Sequence, residues 1–88
     1  MQMLEKQITI QIPDGLHLRP AKELCQLAGR YESRILLRYR NKEFDAKSLL
    51  GVLSACVQYG DVITVVSSGA DEEQALAALA KLLESDTV

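Results

Sequence analysis

Hydrophobic residues along the chain recur with two different periods, and these periods predict its elements. Residues 5–12 alternate, with Ile8, Ile10 and Ile12 on one face and Thr9 and Gln11 on the other, which is typical of a half-buried strand. Residues 13–15, Pro-Asp-Gly, are typical of a turn. From Leu18 the spacing becomes that of an amphipathic helix ending near Gly29. Its apolar positions are Ala21, Leu24, Cys25, Ala28 and Tyr31.

The middle of the chain returns to strand-like alternation. Residues 33–40 predict a second strand, residues 40–43 a hairpin turn without an Asn-Gly pair, and residues 42–45 a short charged edge strand. Residues 48–57 form a short apolar segment of helical type. It holds more apolar residues than one buried face needs, so some of them should be exposed. Residues 62–67 are rich in β-branched residues and predict a central strand.

The last element is a helix that follows a break at residues 68–70. Asp71 should be its N-cap, with Gln74 completing a capping box, and the helix should fray after Glu84. Its core positions are Leu76, Leu79, Ala80 and Leu83. The predicted order is therefore β-α-β-β-α-β-α. This order favours an α+β fold with two layers, in which helices cover one face of an antiparallel sheet.

Composition and charge narrow the class of protein. The 88 residues are 48% hydrophobic and 25% charged, which indicates one globular domain over residues 1–88. A net charge of -2 argues against a nucleic-acid partner. No apolar run reaches the roughly 18 residues that cross a bilayer, and the N-terminus does not resemble a signal peptide. We therefore expect a cytoplasmic protein with no membrane partner, monomeric by default.

The two cysteines, Cys25 and Cys56, both fall within helical apolar patterns. Their wide spacing, with His17 as the only other candidate ligand, argues against a metal site. We expect two small, buried apolar residues in a reducing compartment. Neither a metal nor a cofactor is predicted.

The only histidine, His17, lies between the predicted first strand and the predicted first helix, next to the start of that helix. A neutral imidazole is a good nucleophile near pH 7, and a helix N-terminus offers free backbone N–H groups to an anion. The guanidinium of Arg19 could balance the charge of a phosphoryl group. Leu18, Arg19 and Pro20 would form the first turn, where proline is tolerated. The pattern is compatible with a phosphoryl site, but also with a polar surface histidine before an ordinary helix start.

Two segments resemble a known family when they are taken together. Residues 15–21, GLHLRPA, are similar to the active-site signature of HPr, the histidine-containing phosphocarrier of the bacterial phosphoenolpyruvate-dependent sugar phosphotransferase system. Residues 46–53, AKSLLGVL, resemble the regulatory-serine segment of that family. The turn at residues 69–72, GADE, is a softer match. The resemblance extends over residues 5–84 and keeps the spacing of the family.

The resemblance implies a fold and a reaction. The fold would be an open-faced β-sandwich with strand order 1-4-2-3 and three helices on one face. His17 would accept a phosphoryl group on Nδ1 from phosphorylated enzyme I and pass it to the A component of a sugar permease. Arg19 and the helix start at Leu18, Arg19 and Pro20 would hold the phosphoryl oxygens. The protein would be a carrier and not an enzyme.

The resemblance also implies regulation at Ser48. A serine kinase or phosphorylase would act on this residue, and a catabolite-control transcription factor would be a further partner. A phosphate there would place roughly two negative charges beside a hydrophobic docking patch. That patch would comprise Leu18, Leu49, Leu50 and Leu53. The plain alternative is that Ser48 serves as an N-cap.

Three departures from the family pattern leave other functions open. Leu18 stands where the family has a small residue or threonine, residues 55–56 replace a common glycine, and the Asn-Gly hairpin is absent. They are compatible with a specialised regulatory paralogue that acts mainly through Ser48-dependent protein binding in catabolite control. An unrelated α+β domain with coincidental motifs is the remaining alternative.

Overall fold

Four strands and three helices occupy residues 3–85, which the computed structural model describes; Met1, Gln2 and residues 86–88 lie outside the described residues. The observed order is the predicted one. The elements are β1 (Met3–Thr9), α1 (Leu18–Ala28), β2 (Arg34–Tyr39), β3 (Lys42–Asp45), α2 (Leu49–Ala55), β4 (Val62–Ser68) and α3 (Glu72–Leu83).

The four strands form one antiparallel sheet in the order β1-β4-β2-β3. One row of paired residues crosses the whole sheet, from Glu5 through Val66 and Leu36 to Asp45. The three helices cover one face of the sheet, and the side chains of alternate strand residues are buried on that face. The α+β class and the 1-4-2-3 order are both confirmed.

The core lies between this sheet face and the helices. Strand alternation supplies one side of it, and the apolar stripes of α1 and α3 supply the other. Its largest fully buried strand and helix side chains are Ile8, Leu24, Ile35, Leu37, Val52, Ile63, Val65, Leu79 and Leu83. Burial of this set holds α1 against the sheet, so the residue at the start of α1 has a defined position.

The first strand begins two residues earlier and ends three residues earlier than the predicted range of residues 5–12. Ile10 and Ile12 are fully buried, but the pairing of β1 with β4 ends at Thr9. Beyond it, Ile10 donates its N–H to Asp61 O at 2.8 Å and accepts one from Gly60 N at 2.9 Å. The chain stays extended because a loop, and not a strand, continues to pair with it.

The hairpin between β2 and β3 has a two-residue turn made of Arg40 and Asn41, since Tyr39 pairs with Lys42. Both turn residues have left-handed backbones, with φ of 53° and 64°. This is the backbone that a tight hairpin requires, and it is usually met by Asn-Gly. The predicted turn is confirmed without any glycine in it.

The capping box predicted at the start of α3 is wrong. Asp71 is the N-cap residue, as predicted, but its side chain makes no cap hydrogen bond. Its carboxylate instead accepts hydrogen bonds from the N–H groups of Glu32 and Ser33, each at 2.9 Å, and from Ser33 Oγ at 2.5 Å. These three donors in the loop before β2 compete successfully for the carboxylate. Glu72 Oε1 accepts from Gly69 N at 3.0 Å.

The expectation that both cysteines are buried is wrong, since Cys25 is half-buried and Cys56 is exposed. On α1, burial is the main cause of the raised pKa of the Cys25 thiol, and the nearby negative charge of Asp45 raises it further. Cys56 is exposed because α2 ends at Ala55 and the next residue turns left-handed, with φ of 56°. Its side chain therefore leaves the apolar stripe of the helix.

Candidate functional site

A tight turn delivers the chain to His17. Gly15 N donates to Ile12 O at 2.9 Å and closes the turn, in which Asp14 and Gly15 have φ of 67° and 74°. A Cβ atom at Gly15 would lie 2.4 Å from Val57 O. Only glycine meets both requirements, the left-handed backbone and the close approach.

The residue after Gly15 ties the turn to the end of α2. Leu16 is buried and donates its N–H to Val57 O at 2.9 Å. Behind Val57, the carboxylate of Asp61 accepts from Gln58 N at 2.8 Å and from Tyr39 Oη at 2.6 Å. The hydrogen bond from Tyr39 is the main cause of the lowered pKa of Asp61, and the bond from Gln58 N is the second cause. The Tyr39–Asp61 bond is also the main cause of the raised pKa of Tyr39. Because Tyr39 belongs to β2, these bonds connect the segment behind His17 to the sheet.

His17 is the N-cap of α1, as its position in the sequence predicts. Its backbone is extended, with φ of -78° and ψ of -173°, and its carbonyl accepts the N–H of Ala21 at 2.9 Å. The side chain is exposed and makes no hydrogen bond to any residue between 3 and 85. Both nitrogens of the imidazole are therefore accessible to a partner.

The first turn of α1 offers backbone donors. The N–H groups of Leu18 and Arg19 have no acceptor within the described residues, since nothing precedes them in the helix. Pro20 has no N–H and is buried, which fixes the direction of the turn. The first turn contains no acidic residue. An anion beside His17 would meet two free N–H groups and the positive end of the helix.

A shallow depression runs from His17 along the exposed side of α1. Its lining residues are His17, Leu18, Arg19, Lys22, Glu23 and Gln26. Arg19 does not bond to His17; its Nε lies 3.9 Å from Glu23 Oε1, and its side chain is 77% exposed. Lys22 has no ion pair with the part of the chain that the structure describes. The site therefore holds two cations and one carboxylate close to the imidazole.

Ser48 is the N-cap of α2, which is the structural role that the sequence offered as the alternative to regulation. Its Oγ accepts the N–H of Gly51 at 3.1 Å, and the residue is half-buried. Ser48 lies at the start of α2, whereas the hydrogen bond that joins the loop before His17 to this part of the chain is made by Val57, past the other end of that helix. Seven helical residues separate the two ends by about 10 Å.

The four leucines predicted to form a patch differ in exposure. Leu18 is 57% exposed at the start of α1 and Leu50 is 81% exposed on α2. Leu49 and Leu53 are half-buried and pack against the core. Since α1 and α2 are in contact, both exposed leucines lie on the helical side of the molecule. A docking role for the four stays a prediction.

Sequence reasoning named His17, Leu18, Arg19 and Pro20 but missed Lys22 and Glu23. A signal was available, because residues three and four positions after Arg19 must share its face of a helix. The described residues contain no cluster of three or more histidine, cysteine or acidic side chains that could hold a metal ion. No helix within residues 3–85 is long and apolar enough to cross a membrane.

Comparison with known proteins identifies the family. The family model described as "PTS HPr component phosphorylation site" matches residues 4–85. The chain belongs to the HPr family. Members of this family are phosphocarriers of the phosphotransferase system, and the protein is accordingly a phosphocarrier protein and not a catalytic enzyme.

Relatives within the HPr family fall into two groups. The chain is 36% identical over 84 residues to the HPr-like protein Crh of Halalkalibacterium halodurans, with 96% of this chain and 100% of that protein covered. It is also 36% identical over 81 residues to the phosphocarrier protein HPr of Cupriavidus necator, with 92% and 91% covered. The crystal structure of HPr from Bacillus anthracis superposes with a TM-score of 0.91 at 34% identity, covering 94% and 99%.

Proposed function

We propose that the protein carries a phosphoryl group on His17 between phosphorylated enzyme I and the A component of a sugar permease. The unprotonated Nδ1 of the imidazole attacks phosphorus. The new N–P bond forms as the bond from phosphorus to the donor breaks, and the second transfer reverses the sequence on the acceptor. No atom of the carrier is consumed.

The observation that carries the proposal is the free N-terminus of α1 beside an unpartnered imidazole. The N–H groups of Leu18 and Arg19 have no acceptor within the described residues, and the imidazole of His17 is exposed. Phosphoryl oxygens on the imidazole would accept these N–H groups, and the helix dipole favours their charge. The cations of Arg19 and Lys22 line the same depression. Membership of the family supports the class of reaction, and this geometry supports His17 as the residue that carries the phosphoryl group.

The test is transfer of labelled phosphate from phosphoenolpyruvate through an enzyme I. The wild-type protein should take up one acid-labile phosphoryl group, and His17→Ala should take up none, because the nucleophile is absent. Gln26→Ala, which changes the same depression without touching the imidazole, is the matched control and should be labelled normally. Acid-labile label on His17→Ala would disprove the assignment of His17.

A second candidate function is regulation through Ser48, since the relatives include Crh proteins at 36% and 32% identity as well as HPr. In this function, phosphorylation of Ser48 would control binding to a catabolite-control transcription factor, and a serine kinase would be the partner. The hydroxyl caps α2 by accepting an N–H and still carries a proton that phosphorylation would replace.

Measurements of sugar uptake and of catabolite repression in cells that carry each variant distinguish the two functions. His17→Ala should abolish sugar uptake if the protein is a carrier, whereas Ser48→Asn should abolish catabolite repression if it is mainly a regulator. Asparagine is the appropriate replacement because it still caps α2 and cannot be phosphorylated, whereas alanine would also cost about 1 kcal/mol of stability. Full uptake in His17→Ala would exclude the carrier function.

A further inference from the structure

Arg19 is placed in α1 in a way that helix stability does not explain. It lies in the first turn, where the positive end of the helix dipole disfavours a cation. Its ion pair with Glu23 has the cation N-terminal to the acid, which is the less favourable order for residues four apart. The first turn of α3, in contrast, carries Glu72 and Glu73, as the dipole favours. The Arg19–Glu23 pair therefore calls for a different explanation.

We propose that Glu23 is a positioning residue that keeps the guanidinium of Arg19 from His17 until a phosphoryl group arrives, and so sets how readily that group is passed on. This inference rests on the proposed function, because it assumes phosphorylation of His17. Glu23 is the one carboxylate among the residues that line the depression beside His17.

The competition is between one carboxylate and one phosphoryl group. In the unphosphorylated protein, Glu23 Oε1 is 3.9 Å from Arg19 Nε, and both side chains are largely in water, so the pair is weak. A phosphoryl group carries nearly twice the charge of a carboxylate and offers three acceptor oxygens. It therefore attracts the guanidinium away from Glu23, whose own charge then lies unpaired beside the phosphoryl group.

An unpaired carboxylate in this depression destabilises the phosphorylated state. A carrier must hold its phosphoryl group loosely enough to pass it on, and the repulsion from Glu23 serves that end. Lys22 lines the same depression and has no ion pair within the described residues, so its charge acts in the opposite direction. Glu23 thereby offsets part of the positive charge that Arg19, Lys22 and the helix end place there.

Glu23→Gln removes the competitor at constant size. The variant should bind inorganic phosphate at the start of α1 about twofold to fourfold more tightly, given the size of exposed pairs four residues apart and of screened repulsion. Affinity is measured from the His17 ring resonances during a titration with phosphate. The Arg19 Nε–H resonance of the unphosphorylated variant should already differ from that of the wild type. Phospho-His17 formed with phosphoramidate should be hydrolysed more slowly by a similar factor.

Two further variants separate positioning from charge alone. Glu23→Asp keeps the charge but is one methylene too short to maintain the pair, so its phosphate affinity should lie between those of the wild type and Glu23→Gln. Glu73→Gln makes the same change of charge on α3 and should behave as the wild type. A wild-type value for Glu23→Asp, or an equal gain in Glu73→Gln, would overturn the positioning role.

These measurements need no enzyme I, so they fail independently of the proposed function. If enzyme I does not label His17, the carrier function is wrong. If labelling is normal but phosphate affinity, the Arg19 resonance and the hydrolysis rate are unchanged in Glu23→Gln, the inference about Glu23 is wrong and the carrier function stands.

Discussion

At the scale of single residues, the position of His17 depends on the lack of a side chain two residues before it. Gly15 and Gly60 both have left-handed backbones, with φ of 74° and 86°. A Cβ on Gly60 would meet nothing within 4 Å, whereas one on Gly15 would overlap the backbone of Val57 and Gln58. Comparison of Gly15 with Gly60 therefore separates the energetic cost of a left-handed backbone from the cost of overlap with Val57 and Gln58.

Gly15→Ala should therefore cost about 3 kcal/mol or more of unfolding free energy, since strain in the left-handed region adds to the displacement of packed backbone. Gly60→Ala should cost only about 1 kcal/mol, from the conformation alone. Urea denaturation of both variants measures the difference. Equal losses would show that the approach of Gly15 to Val57 does not matter for stability.

At the scale of elements, Asp71 joins the start of α3 to the loop before β2. Its hydrogen bonds from Ser33 Oγ, Glu32 N and Ser33 N lower the pKa of the carboxyl. A lowered pKa means that the folded state favours the ionised form. The stabilisation is complete above the unfolded value of about 3.9 and is lost as the pH falls through the lower folded value.

Asp71→Asn should lower the free energy of unfolding at neutral pH and flatten its decline below about pH 4, because the variant has no carboxyl to titrate. Thermal denaturation across that pH range measures both effects. Asp14→Asn is the control: the Asp14 side chain is exposed, lies outside the helices and has no hydrogen bond or ion pair within residues 3–85, so its replacement should retain the wild-type slope. An unchanged slope in Asp71→Asn would contradict the assigned role.

The elements themselves were readable from the sequence, and their ends less so. Residue spacing predicted the start of α1 at Leu18 and its N-cap at His17 correctly. The end of β1 was placed too late because the isoleucine pattern reports burial, while a strand ends where its hydrogen-bonded neighbour ends. The N-cap of α3 at Asp71 was predicted correctly, but its capping box was not, since the donors that bind Asp71 come from residues 38 and 39 positions earlier.

At the scale of the whole molecule, the helices present two exposed leucines, Leu18 and Leu50, on the layer that also contains His17. Leu50 is 81% exposed on α2, and Val62 is 54% exposed on β4. Both are apolar and accessible, but Val62 lies in the sheet and not in the helical layer that contains His17. The two residues therefore form a matched pair for testing where partners dock.

Leu50→Ser should change the free energy of unfolding by less than about 0.5 kcal/mol but raise the KM for phosphoryl transfer from enzyme I about tenfold, as expected if a partner buries this side chain. Val62→Ser should leave the KM unchanged. Transfer rates at varied carrier concentration measure the effect. A larger increase of the KM in Val62→Ser than in Leu50→Ser would show that partners dock on the sheet and not on the helices.

The sequence by itself determined the element order, the core stripes and the candidate nucleophile, because periodicity and the helix-start pattern at His17 are local properties. The sheet order, implied by family resemblance, could not follow from local pattern. Tertiary structure alone decided which leucines are exposed, that Cys56 is exposed, and that Val57 holds the loop before His17. It also paired Tyr39 with Asp61 and Ser33 with Asp71. These features depend on contacts between residues distant in the chain, which packing of the core brings together.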